Sequence, residues 1–73
     1  MADESRQEVI DAYERAAAEL DLAGKHLRTA ARHMREKEVP RSCAHAFAAQ
    51  GHIAASDDHI RRAAIIHASK AVP

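Results

Sequence analysis

The sequence predicts an all-α fold, an antiparallel helical hairpin, and three observations lead there. Apolar residues recur at alternating spacings of three and four through two long stretches, which is the mark of amphipathic helices sharing a coiled-coil seam. Pro40 interrupts the pattern midway; proline lacks a backbone donor and forces its predecessor out of helical geometry, yet suits the first turn of a new helix. A length of 73 residues leaves room for one small domain, and so short a chain seldom buries enough apolar surface to be stable alone. The expected organisation is a single helical-hairpin domain over residues 1–73. Helix 1 is placed at about 4–37, the turn at about 38–41 and helix 2 at about 42–71, with two copies joining into a four-helix bundle.

Helix 1 rests on Val9, Tyr13, Ala16, Leu20, Ala23, Leu27, Ala30 and Met34. With Tyr13, Leu20, Leu27 and Met34 at heptad position a, the smaller Val9, Ala16, Ala23 and Ala30 fall at position d, so large and small residues alternate. Asp3 or Ser5 can cap its start. Glu4, Glu8, Asp11 and Glu14 suit the positive end of the helix dipole, and Lys25, Arg28, Arg32, Arg35 and Lys37 the negative end.

The turn contains no glycine, and Ser42 reads as the cap of helix 2. Helix 2 repeats the heptad as Ala46, Ala49, Ile53, Ser56, Ile60, Ala63 and His67, with Ile53, Ile60 and His67 at position a. Folding the helices antiparallel is expected to set a layers against d layers: Leu27 on Ala49, Leu20 on Ser56, Tyr13 on Ala63, Ala23 on Ile53 and Ala16 on Ile60. Each layer pairs large with small, which favours close approach and native packing density. This alternation resembles the alanine-layered hairpins of the Rop type. The likeness is one of pattern and carries no functional motif.

The outer face of helix 2 is also apolar, with Ala44, Phe47, Ala48, Gly51 and Ala55. A mid-helix glycine costs about 1 kcal/mol relative to alanine, so Gly51 suggests that another backbone comes close. These residues are the expected homodimer contact; the plainer alternative is alanine used as a helix former on a solvated surface. Gly24 in helix 1 is a second candidate for close approach.

Composition narrows the function classes. Eleven basic and eleven acidic side chains cancel, which removes the general attraction to nucleic acid of a strongly basic domain. The single cysteine, Cys43, excludes an internal disulfide and a multi-cysteine metal site and fits a reducing compartment. The charged start carries no signal-peptide pattern, and no apolar run approaches the ~20 residues of a membrane span. The expected location is cytoplasmic, with no membrane partner.

Histidines carry the strongest chemical signal. His26 and His33 of helix 1 and His45, His52 and His59 of helix 2 all fall on heptad position g. In an antiparallel hairpin g faces g, giving the expected rungs His33 with His45, His26 with His52, and Glu19 with His59. Imidazole and carboxylate can bind zinc, copper, nickel or iron, so Glu19, His26, His33, His45, His52 and His59 are candidate ligands for a transition metal, or the histidines for haem. Spacing argues against a simple site: residues seven apart on a helix are separated by about 10.5 Å, so each rung supplies two donors where a closed site needs about four. The alternatives are hydrogen-bonded packing without an ion, or a pH switch in which protonation sets like charges opposite one another near pH ~6.5. His67 is expected in the core, hydrogen-bonded to Tyr13.

Lys25, Arg28, Arg32 and Arg35 form a basic stripe that could hold phosphates, and Rop-type hairpins bind RNA, so nucleic acid is carried as an alternative. No exposed aromatic platform for bases is expected, which weighs against it. His26-Leu27-Arg28-Thr29 resembles the phosphoacceptor box of sensor histidine kinases, but lacks its neighbouring acidic residue and its later proline. Catalysis has no support from a nucleophile–base pair or a glycine-rich phosphate loop, and a Glu-x-x-His di-iron motif is absent. Asp58 is expected to pair with Arg62 on the surface. The leading expectation is a small non-catalytic interaction or accessory protein acting as a homodimer and docking another protein. The alternatives are a metal- or haem-binding four-helix bundle and a Rop-like RNA-binding hairpin.

Overall fold

A computed structural model describes residues 3–73. Helix α1 spans Asp3–Arg35 and helix α2 spans Val39–Lys70, and the two pack against one another as an antiparallel hairpin. The body measures 54 × 21 × 12 Å. Its smallest dimension equals the diameter of one helix with its side chains, about 10–12 Å, so the hairpin has no second layer to bury either broad face.

The connection is shorter than expected, and its backbone explains why. Lys37 adopts a left-handed conformation, φ 63°, the Glu38 N–H donates to the His33 carbonyl at 2.9 Å, and the Lys37 N–H donates to the Met34 carbonyl at 3.0 Å. These bonds form a Schellman motif with Lys37 where glycine is usual, which ends α1 at Arg35 rather than near residue 37. Pro40 then sits in the first turn of α2, where its fixed φ is favourable. Ser42 is consequently inside α2 and buried, not a cap; its hydroxyl donates across the hairpin to the Ala30 carbonyl at 2.8 Å. Asp3 and Ser5 both lie within α1.

The seam between the helices differs from the expected one. Buried residues are Ala12, Ala16, Ala23 and Ala30 of α1 and Ser42, Ala49, Ser56, Ala63 and Ile66 of α2. Small d residues therefore face small d residues, and the g rows close one side of the seam. The a-over-d layers are not formed within the hairpin: Tyr13, Leu20, Leu27, Ile53 and Ile60 stand 46–57% exposed. Alanine on α1, and alanine and serine on α2, permit a close approach that leaves the larger a side chains on the flank. His67 is exposed too, sharing a groove wall with Tyr13 rather than a hydrogen bond. Arg62 pairs with Glu8 of α1 at 3.2 Å, while Arg61 takes Asp57 at 2.9 Å and Asp58 at 3.8 Å, replacing the expected Asp58–Arg62 pair.

Candidate functional site

The two g rows interleave into a ladder along one edge of the seam. Starting with Glu38 in the turn, its side chains run His33, His45, His26, His52 and Glu19, drawn alternately from α1 and α2. His33 and His45 stack with ring centroids 5.4 Å apart, His45 and His26 are tilted at 5.2 Å, and His26 and His52 stack at 5.4 Å. Two contacts are hydrogen bonds: His26 Nδ1 with His45 Nδ1 at 2.9 Å, and His52 Nδ1 with the Glu19 carboxylate at 2.6 Å. Four half-buried imidazoles are thus bracketed by carboxylates at both ends.

Two of the three expected rungs are present as stacks, the third is not formed, and the hydrogen bonds are offset by half a layer. His33 lies on His45 and His26 on His52, as the register implies, but His26 bonds to His45 and Glu19 to His52. Glu19 therefore takes His52 where His59 was expected. Staggering is a consequence of antiparallel g rows, in which each residue lies between two from the other helix. His59 is half-buried beyond this end and lines a groove with Glu8, Ala12, Arg15 and Arg62.

At the turn the ladder ends in a tighter cluster. Donor atoms of His33, Glu36 and Glu38 all lie within 4.8 Å of one another. The Schellman motif makes this juxtaposition: it sets the third residue from the helix end against the second residue past it, here His33 against Glu38. His33 Nδ1 is buried without a hydrogen-bond partner, and the nearest Glu38 oxygen, Oε1, is 3.5 Å away. The other Glu38 oxygen accepts from Arg41 at 2.9 Å. The Glu38 carboxyl is held below its ordinary value of 4.5, first by hydrogen bonding with Glu36, and further by His33 and the Arg41 guanidinium, against opposing desolvation. Neither Glu36 nor Glu38 stands out in the sequence read with helix 2 starting near residue 42. Starting it at Val39 would have revealed Glu38 as the g residue seven before His45.

The opposite edge of the seam is apolar and open. Leu20, Leu27 and Met34 of α1 and Val39, Ile53 and Ile60 of α2 occupy a positions and are 46–49% exposed. A groove of about 410 Å³ runs along this edge, floored by Ser56 and walled by Leu20, Ile53 and Ile60. On α2's outer face, Ala44, Phe47 and Gly51 are exposed and Ala48 and Ala55 half-buried; a Cβ at Gly51 would meet nothing within 4 Å. Gly24 is approached only by the Arg28 guanidinium of its own helix, 3.4 Å from a built Cβ. Lys25, Arg28, Arg32 and Arg35 are all exposed along α1, and no helix among the described residues is long and apolar enough to cross a membrane. No family model, curated protein or solved structure matches this chain.

Proposed function

We propose that this chain is a non-catalytic interaction protein that works as a homodimer, two hairpins closing into a four-helix bundle through their a-position edges. The observation that carries this reading is the exposed row Leu20, Leu27, Met34, Val39, Ile53 and Ile60, each about half open to water. A heptad core of a and d residues needs helices on two sides. Within one hairpin only the d side is covered, and a second copy presents a matching row of large side chains to cover the a side.

Magnitudes favour association. Fully burying one large aliphatic side chain contributes about 1.5–3 kcal/mol, so covering six half-exposed ones adds roughly 4–8 kcal/mol per hairpin, and twice that for a pair. Lost rotational and translational freedom opposes this by roughly 4–15 kcal/mol. Charge is also sparse along this edge, as interface cores require: the adjacent e positions are Ile10, Ala17, Gly24 and Ala31 in α1 and Cys43, Gln50, Asp57 and Ala64 in α2. Asp57 is the one charge among them. The outer α2 face holds fewer large side chains, which makes it the weaker candidate.

Sedimentation equilibrium of the full chain at micromolar concentration tests the proposal. A dimer mass that dissociates on dilution is expected, with a thermal midpoint that rises with concentration. A monomer that unfolds cooperatively at a concentration-independent midpoint would overturn it.

A further inference from the structure

We propose that the turn end of the hairpin is a binding site for a divalent first-row transition ion, held by His33 Nδ1, Glu36 and Glu38. The inference is independent of dimerisation, because all three donors belong to one short segment of one chain.

Convergence alone would be weak support, since exposed carboxylates often sit near one another. The decisive atom is His33 Nδ1. It is buried, in a side chain only 13% exposed, yet has no hydrogen-bond partner. Buried polar atoms almost always find a partner, and an exception calls for an ion, a water or a function. The Glu38 oxygen facing it is 3.5 Å away, beyond the 2.7–3.2 Å usual for a hydrogen bond from nitrogen. Two ligands bound tetrahedrally at about 2.0–2.1 Å to one zinc ion lie about 3.3 Å apart. The observed spacing thus suits co-ligands better than it suits a donor and an acceptor. Arg41 holds the second Glu38 oxygen at 2.9 Å, which fixes the carboxylate plane and leaves Oε1 directed at the site.

Ligand chemistry sets the class of ion. One neutral imidazole and two carboxylates balance a divalent charge and make a borderline-to-hard donor set, suited to zinc, cobalt, iron or manganese. Thiolate is missing, since Cys43 is exposed and outside the cluster, so soft monovalent copper is disfavoured. Three protein donors leave at least one position for water. The histidines further along form no such cluster, because the ladder spreads them pairwise along the seam instead of converging on a point.

Titration calorimetry of chelator-stripped full-length protein with zinc chloride is the test, with cobalt absorption bands as a second readout of coordination. One ion per chain is expected. Glu36→Gln should weaken binding by at least about tenfold; Glu36 is exposed, so this variant keeps its fold, which circular dichroism checks. His33→Gln should abolish the cobalt bands, whereas His26→Gln and His52→Gln should leave zinc affinity within about twofold. Absence of saturable binding would overturn the proposal. So would affinity insensitive to Glu36→Gln but lost in His26→Gln, which would place the ion on the ladder.

Discussion

Replacing Leu20 by alanine separates the a-position edge from every other surface on which two hairpins could meet. Leu20 is 48% exposed, so about half of its burial is still to be gained. At about 1.5–3 kcal/mol for full burial, covering it in a dimer contributes about 1 kcal/mol. Twofold symmetry uses the side chain twice, so Leu20→Ala should weaken the dimer by about 2 kcal/mol, or about thirtyfold in dissociation constant. Ile53→Lys, at 46% exposure, adds an unpaired charge to the same edge and should leave only monomer at micromolar concentration. Sedimentation equilibrium reads both, with Phe47→Lys as the control on α2's outer face, where Phe47 is 78% exposed. A dimer that survives Leu20→Ala and Ile53→Lys but dissociates in Phe47→Lys would refute the reasoning and assign the contact to the outer face.

Lys37→Gly should stabilise the hairpin by about 0.5–1 kcal/mol, since glycine adopts φ 63° without the side-chain clash; a lower thermal midpoint would count against the Schellman account of the turn. Ser42→Ala removes the 2.8 Å bond to Ala30 and should cost about 1 kcal/mol, lowering the midpoint by about 4–8 °C in a domain of this size. Gly51→Ala meets open space and should stabilise the chain by about 1 kcal/mol, unless a second backbone packs there, in which case the dimer would dissociate instead. Glu38 titrates below 4.5 in the folded, metal-free chain, so its contribution is complete above that value and is lost as pH falls through the lower folded one. Thermal midpoints of wild type and Glu38→Gln should therefore converge as pH falls below 4.5.

Most of the architecture is legible in the sequence because heptad spacing and one proline constrain it tightly. Both helices, their antiparallel pairing and the facing g rows follow from Val9 to Met34 and Ala46 to His67. Which side of the heptad seals the hairpin is not legible there, because a and d are equally apolar positions in a repeat and the spacing alone does not rank them. Volume decides: alanine and serine at Ala23, Ala30, Ser42 and Ala49 let backbones approach, and that contact outcompetes layers that would hold them apart. The position of the turn is hidden for a local reason, since lysine at a left-handed position carries no sequence signal comparable to glycine. That hides Glu38 from its own register, and with it the cluster around His33.

The bond between His26 and His45 joins the same atom, Nδ1, of both rings at 2.9 Å. One nitrogen must carry hydrogen and the other a lone pair, so two neutral rings in this contact are obliged to be unlike tautomers. The ring that donates through Nδ1 is left with an accepting Nε2, and the ring that accepts through Nδ1 with a donating Nε2. The two edges that the pair turns away from its shared bond are therefore chemically opposite, a distinction that the ¹⁵N shifts of these two rings would report directly.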